Sequence, residues 1–310
     1  MSVHQDTSPH QEQDEQHGEA IRTIGRAHPL RWVVTAVVLL IAVALVSTLF
    51  TNPRWQWQTV GRFLFDHRIL RGVGNTLLLT LIAMTIGIVL GVVLAVMRQS
   101  PLRLVQAAAW LYAWFFRGTP VFVQIIFWFN IAALYPDFQL RVPFGPVLWS
   151  ESANTLITPF VAALLALGLN EGAYMSEVVR GGILAVDRGQ SEAAQALGMN
   201  RLLTLRRIVL PQALRVILPP TGNQVISMLK ITSLVSVIAF TELLYSAQLI
   251  YSANFQTIPL LIVASLWYML FTAVLSVGQY FLERHFGRDQ ARLGGAGELR
   301  KRLLGFGKVA

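Results

Sequence analysis

Three long runs without a charged residue fix what this chain can become. Residues 32–50 hold nineteen such positions, 72–97 twenty-six and 256–282 twenty-seven. A bilayer core of ~30 Å needs about 20 apolar residues in helical form. Each run therefore reads as a membrane span rather than a buried core helix. Composition agrees, since 54% of the 310 residues are hydrophobic and mean hydropathy is +0.54.

The net charge of +9 invites a nucleic-acid reading, but five of the sixteen acids (Asp6, Glu12, Asp14, Glu15, Glu19) lie in the first twenty residues. The basic residues sit in short loops and tails beside spans, where orientation signals belong. No nucleic-acid partner is expected; membrane lipid is. The absence of Cys excludes disulfides and thiol chemistry.

Along the chain, 1–28 reads as a disordered polar cytoplasmic tail. Its His4, His10 and His17 fit no metal-ligand spacing. Residues 29–71 supply an extra N-terminal transmembrane helix and an external linker. The span 32–50 is too long, and too far from the N-terminus, for a usual signal peptide. After 72–97, Arg98 and Arg103 bracket a turn at Ser100-Pro101. The apolar stretch 104–134 is interrupted by Arg117-Gly118-Thr119-Pro120, which should bend or break a helix. Residues 135–154, with Pro136, Pro143 and Pro146, form an external loop. Residues 155–183 span again despite Glu171, Glu177 and Arg180, and a basic insert follows at 184–207. The next span, 208–229, is bent at Pro219-Pro220. Residues 231–255 are Ser-rich and short, a re-entrant or partly buried segment. The last span is 257–282, and 287–310 is a basic cytoplasmic tail. The fold class is an all-α integral membrane protein of about six transmembrane helices. With the N-terminus inside, cytoplasmic positions hold seventeen Lys and Arg and external loops five, which puts both termini in the cytoplasm. The four arginines at 54–71 run against that bias. No internal repeat is visible, so the inverted-repeat signature of many secondary transporters is not supported.

The insert is built to fold. Asp187 can cap a helix, with Gln190 three residues on. Glu192, Ala193, Ala194, Ala196 and Leu197 are mostly strong helix formers. Gly198 suits a left-handed stop, Asn200 can cap a second helix, and Pro211 suits a first helical turn. From periodicity alone, two readings stand level: a handle for a soluble partner, or an amphipathic loop lying on headgroups.

Glu192-Ala193-Ala194, three residues, Gly198, nine residues, then Ile208-Val209-Leu210-Pro211 resembles the signature of binding-protein-dependent ABC importer permeases. Phe116-Arg117-Gly118-Thr119-Pro120, Gly172-Ala173-Tyr174, Arg180-Gly181-Gly182, Arg188-Gly189-Gln190, Leu210-Pro211-Gln212-Ala213-Leu214-Arg215 and Thr232-Ser233-Leu234-Val235 resemble the polar amino-acid (histidine/glutamine-type) permease subfamily. The resemblance runs from about residue 70 to 286. It implies a five-helix type I importer core over 72–286, to which 32–50 is an addition. Asp187 departs from the family, where Pro is usual.

What the resemblance implies is a permease subunit of an ATP-driven amino-acid importer in the bacterial inner membrane. Its partners would be two ABC ATPase subunits, a second permease subunit, identical or homologous, and an external substrate-binding protein that delivers an amino acid. ATP and Mg belong to the ATPase subunits. This chain has no G-x-x-x-x-G-K-[ST] run, and no cofactor, metal or catalytic set is assigned to it. Helix 188–197 would sit in a groove on the ATPase. Glu192, Ala193, Ala194, Gly198, Ile208, Leu210 and Pro211 are the coupling residues, and the two adjoining spans are the levers.

Arg117, Thr119, Glu171 and Glu242 are candidates for the substrate path. Glu171, about fifteen residues into its span, either reads a cationic group of the substrate or pairs with Arg117 or Arg215. Glu177 can pair with Arg180 at i+3. Glu242 either lines the external gate or is an exposed loop carboxylate. The Trp and Tyr residues at 110–114, 128, 149 and 267–268 suit interfacial belts, and Lys230 suits a snorkelling anchor. Two other functions fit the residues: a permease for an opine, amine or sulfur compound, and a non-transporting scaffold or sensor. A membrane enzyme lacks a catalytic constellation.

Overall fold

The computed structural model describes residues 29–142 and 146–305, with the side chains of 29, 31 and 287–305 left out. The expected tail 1–28 lies outside the described residues. The chain divides into two units after Trp55.

In the first unit, α1 (Pro29–Thr51) is a helix of 23 residues, ~35 Å long. Its apolar side chains are exposed all round, as a helix whose solvent is lipid requires. Ser47, Thr48 and Thr51 donate their hydroxyls to the carbonyls of Ala44, Leu45 and Ser47. Asn52 and Pro53 end the helix.

The second unit opens with α2 (Trp57–Leu64) and α3 (His67–Arg98). Asp66 caps α3 by accepting from Arg68 N at 2.9 Å and takes the Arg68 guanidinium on both oxygens. The Arg68 side chain thereby holds the Asp66 carboxyl down at about 2. α4 (Arg103–Gly118) and α5 (Val121–Phe129) follow, broken at Thr119–Pro120 as the sequence predicts. The expected loop beyond them is ordered differently. Strands β1 (Asp137–Arg141) and β2 (Val147–Ser152) pair antiparallel, with an irregularity at Leu140/Arg141. Pro136 and Pro146 lie outside the two strands, where no ladder N–H is needed. After α6 (Ala153–Leu156), α7 (Pro159–Leu184) starts with Thr158 as cap and Pro159 in the first turn.

α3 and α7 share the most extensive helix–helix contact. A methyl at Gly91 would lie 2.5 Å from Met175 Cβ and 2.9 Å from the Met175 carbonyl carbon. Small residues let these two backbones approach, as membrane helices do. Around them pack Leu79, Ala83, Ala163, Leu167, Met228 and Val235. A second cluster joins α2 and α3 to the last two helices through Ile69, Val73, Leu243 and Leu260.

α8 (Arg188–Ala196) and α9 (Arg201–Thr204) form the insert. α9 does not end before the next span. A π turn at Leu205–Val209 joins it to α10 (Leu210–Ile231), one helical rod from Arg201 to Ile231. The cause is Pro211: lacking an N–H, it cannot serve the carbonyl four residues back. The ladder widens instead, and Leu210 N donates to Leu205 O. α10 continues as helix through Pro219-Pro220. Gln279 Nε2 donates to Pro219 O, and the Thr221 hydroxyl to Ile217 O. The chain turns later. A 3₁₀ stretch Thr232–Ile238 leads to α11 (Leu243–Asn254), bent by 45° from the rod, with Ala239 left-handed at φ 57. α12 (Thr257–Gly305) is the last helix.

Among the described residues, three helices are long and apolar enough to cross a membrane: Trp32–Thr51, His67–Arg98 and Thr257–Phe286. The bent pair Arg201–Ile238 with Leu243–Asn254 makes four, fewer than the six expected. α4 and α5 fall short singly because of their break. α7 is long enough but carries Asn170, Glu171, Glu177 and Arg180.

Candidate functional site

The insert begins where Asp187 Oδ1 accepts from Gly189 N at 2.7 Å. The departure from Pro therefore keeps the helix start. The far end is a Schellman stop: Met199 N donates to Ala194 O and Gly198 N to Gln195 O, with Gly198 at φ +78. Asn200 then accepts from Leu203 N and starts the rod. Two caps and one left-handed glycine thus set α8 at an angle to the span.

Ala194 is buried and faces inward, whereas Glu192 and Ala193 are exposed, and Leu197 is 82% exposed. A groove of about 590 Å³ runs between α8, the start of the rod and Gln99, with Arg188, Glu192 and Arg201 on its rim. Ile208, Leu210 and Pro211 sit on the π turn and the rod, and the buried anchor there is Val209, between them.

The second site is a cleft of about 520 Å³ among α4, α5, α7 and α10. It brings Arg117, Thr119 and Glu171 together with Asn170, Tyr174, Gln224 and Ser227. The break at Thr119–Pro120 builds one wall. Pro120 cannot donate to Phe116 O, so Gln124 Nε2 and Asn170 Nδ2 do so, at 3.0 and 2.7 Å. Gln124 also holds the Thr119 hydroxyl at 2.7 Å. These polar side chains close the unpaired backbone inside protein, where membranes tolerate it.

Glu171 is 6% exposed, and its Oε1 has no hydrogen-bond partner among the described residues. Its Cγ rests against Gly87. The pairing with Arg117 is not made: that guanidinium goes to Glu177 at 3.4 Å and lies over the Tyr174 ring. Arg215 does not line the cleft. Glu177 also takes Arg98 and Arg180, so the expected i+3 pair is one part of a larger cluster.

Glu242 corrects the reading as an exposed loop carboxylate. It is fully buried, caps α11 by accepting from Leu244 N and Tyr245 N, and accepts from Tyr268 OH at 2.8 Å. A carboxylate just before a helix start is worth most as its cap. It does not line the cleft. Three of the expected belt aromatics are likewise tied inward. Tyr112 OH donates to Leu169 O, Trp267 Nε1 to Leu64 O, and Tyr268 to Glu242. Trp110, Trp114 and Trp149 are exposed, as is Lys230. Asn170, Gln224 and Ser227 were not singled out in the sequence, and Tyr174 only as part of a family motif. Their signal was polar residues at i, i+3 or i+4 inside apolar helices.

Two helices connect the sites. α7 runs from Glu171 in the cleft to Leu184 at the insert, and the rod runs from Arg201 at the insert to Gln224 in the cleft. Such a fold defines a helical membrane protein with a polar internal cleft and a short helical insert apart from it. Residues 87–288 match the family described as the binding-protein-dependent transport system inner membrane component, and the chain belongs to that family. It is 45% identical over 267 residues to the arginine transport system permease protein ArgU of Corynebacterium glutamicum, covering 86% of this chain and 83% of that one. It is 39% identical to the nopaline transport system permease protein NocM of Agrobacterium fabrum, covering 74% and 92%. A crystal structure of an amino acid ABC transporter with histidines matches at 33% identity with a TM-score of 0.60, covering 70% of this chain and 94% of that one.

Proposed function

We propose that this chain is the permease subunit of an ATP-driven amino-acid importer whose cleft passes amino acids with a cationic group. The observation that carries the reading is the mounting of α8. Its exposed Glu192–Ala193 face is fixed by two caps and Gly198 to two helices that line the cleft. Two ABC ATPase subunits grip that face and hold the ATP and Mg. A second permease subunit completes the path, and an external binding protein delivers the solute. Rigid-body movement of α8 with its ATPase tilts α7 and the rod and opens the cleft to one side at a time. Both termini lie in the cytoplasm. α4 with α5 supplies one crossing and α7 another.

The unpaired, buried Glu171 supports a cationic solute, since a carboxylate inside a membrane protein calls for a partner. The name of the ArgU relative points the same way, while that of the NocM relative keeps an opine in view. Purification from native membrane should bring down an ABC ATPase. Hydrolysis should rise with binding protein loaded with arginine or lysine more than with glutamate. Glu171→Gln should erase that order while glutamine uptake, if present, persists. An unchanged order removes the recognition role, and repeated absence of any ATPase after crosslinking removes the importer reading.

A further inference from the structure

The turn between α3 and α4 holds a cavity separate from both sites above. It measures about 570 Å³ and is lined by Arg98, Arg103, Gln106, Ala107 and Trp110. Two guanidiniums converge from the end of one helix and the start of the next, and none of the five lining residues is acidic. The turn is braced: Gln106 Nε2 donates to Ser100 O at 2.6 Å, and Ser100 Oγ accepts from Leu102 N at 3.2 Å. Beside it, Trp110 is 54% exposed and stacks on Trp114, 61% exposed, with centroids 6.2 Å apart.

Charge is in excess here. Arg98 meets Glu177, but that one carboxylate also serves Arg117 and Arg180. A guanidinium has five N–H donors, so Arg98 keeps some for the cavity. Arg98 is also the last residue of a helix apolar enough to span a membrane. The cavity therefore lies where hydrocarbon gives way to headgroups. Its neighbour Gln99 lines the groove beside α8, which puts the cavity at the insert's end of the protein.

We propose that this cavity binds the phosphate of an anionic glycerophospholipid, with acyl chains lying along Trp110 and Trp114. Planar guanidiniums match phosphate oxygens in a two-pronged geometry. Exposed indoles favour the interface, and basic pockets between spans hold acidic headgroups. Because Arg98 is shared, an occupied cavity acts on Glu177 and through it on Arg117 at the cleft edge.

The test is native mass spectrometry of the full chain, purified with its membrane partners and titrated with phosphatidylglycerol or phosphatidylcholine. Phosphatidylglycerol should be retained over phosphatidylcholine. Arg103→Ala should lower that retention about fivefold, the effect of one basic group near a lipid surface, and Arg103→Glu should lower it further. Arg141→Ala, on β1 and outside the lining, should leave it unchanged. Inorganic phosphate at equal concentration should not displace the lipid. Equal retention of both lipids, parental retention by Arg103→Glu in protein eluting as a single peak, or displacement by inorganic phosphate would overturn the proposal. Should Arg103→Glu not elute as a single peak, Trp110→Ala takes its place, with a loss of retention expected and parental retention overturning.

Discussion

Replacing Gly91 with Ala puts a methyl 2.9 Å from the Met175 carbonyl carbon and 3.0 Å from Ser176 N. Both are backbone atoms, so no rotamer change relieves them. Met175 Cβ, which no rotamer change moves, lies nearer still at 2.5 Å; ordinary contact begins near 3.4 Å, so α3 and α7 must part by about 0.9 Å at that level. Overpacking of this kind costs ~1–3 kcal/mol. Gly74, on the same helix, has nothing within 4 Å of its missing Cβ. Ala there loses no contact and stiffens the helix, a gain of ~0.5–1 kcal/mol. The same substitution on one helix thus carries opposite signs at two positions. Thermal unfolding in one detergent, followed by tryptophan fluorescence, reads the difference. Gly91→Ala should melt several degrees below the parent and Gly74→Ala at or above it. A Gly91→Ala variant as stable as the parent refutes close backbone approach as the basis of the α3–α7 contact.

Glu242→Ala strands two N–H groups and the Tyr268 hydroxyl in a buried site, a loss of ~2–4 kcal/mol. Glu242→Gln keeps an acceptor and should lose less in the same melting assay. Asp66→Asn removes the counter-charge of a half-exposed Arg68 but keeps an acceptor, so its cost is only ~0.5–1 kcal/mol after solvent screening. The Asp66 carboxyl sits lower in the folded state, at about 2, than its ordinary 3.8. Its contribution is therefore complete above pH ~4 and fades as pH falls towards ~2; parent and variant melting curves should converge there. Glu177→Gln leaves Arg98, Arg117 and Arg180 without their shared counter-charge and should lower both stability and uptake.

The spans were legible because bilayer thickness imposes a length, and charge-free runs such as 72–97 meet it alone. The break at Thr119–Pro120 and the stops at Asp187, Gly198 and Asn200 were legible too, because each acts on its immediate neighbours. What could not be read depends on partners far along the chain. Arg98 and Glu177 are 79 positions apart, and Tyr268 reaches Glu242 across 26. Glu242 looked like a loop carboxylate because nothing local says that Tyr268 and Thr76 close over that helix start. That the helix would run on through Pro219 and Pro220 could not be read either, because a freed carbonyl there is served by Gln279 on another helix. The π turn was hidden for a subtler reason. Pro211 was read as the start of a helix, whereas the rod had begun ten residues earlier, at Arg201. The hairpin at 137–152 carried three prolines around it, and the placement of Pro136 and Pro146 outside the strands could not be told from a plain loop.

In the proposed importer α8 is the part that the ATPase grips, so its mounting is the place to interrupt coupling. Gly198 has room for a side chain, yet its φ of +78 disfavours one, at ~1–2 kcal/mol. Gly198→Val should therefore swing α8 without unfolding the spans. The decisive measurement is ATP-driven amino-acid uptake into proteoliposomes holding the complete assembly, with Glu192→Arg and Gly198→Val beside the parent. Both variants should assemble in the membrane, retain solute binding and lose uptake. Parental uptake by both would contradict the account.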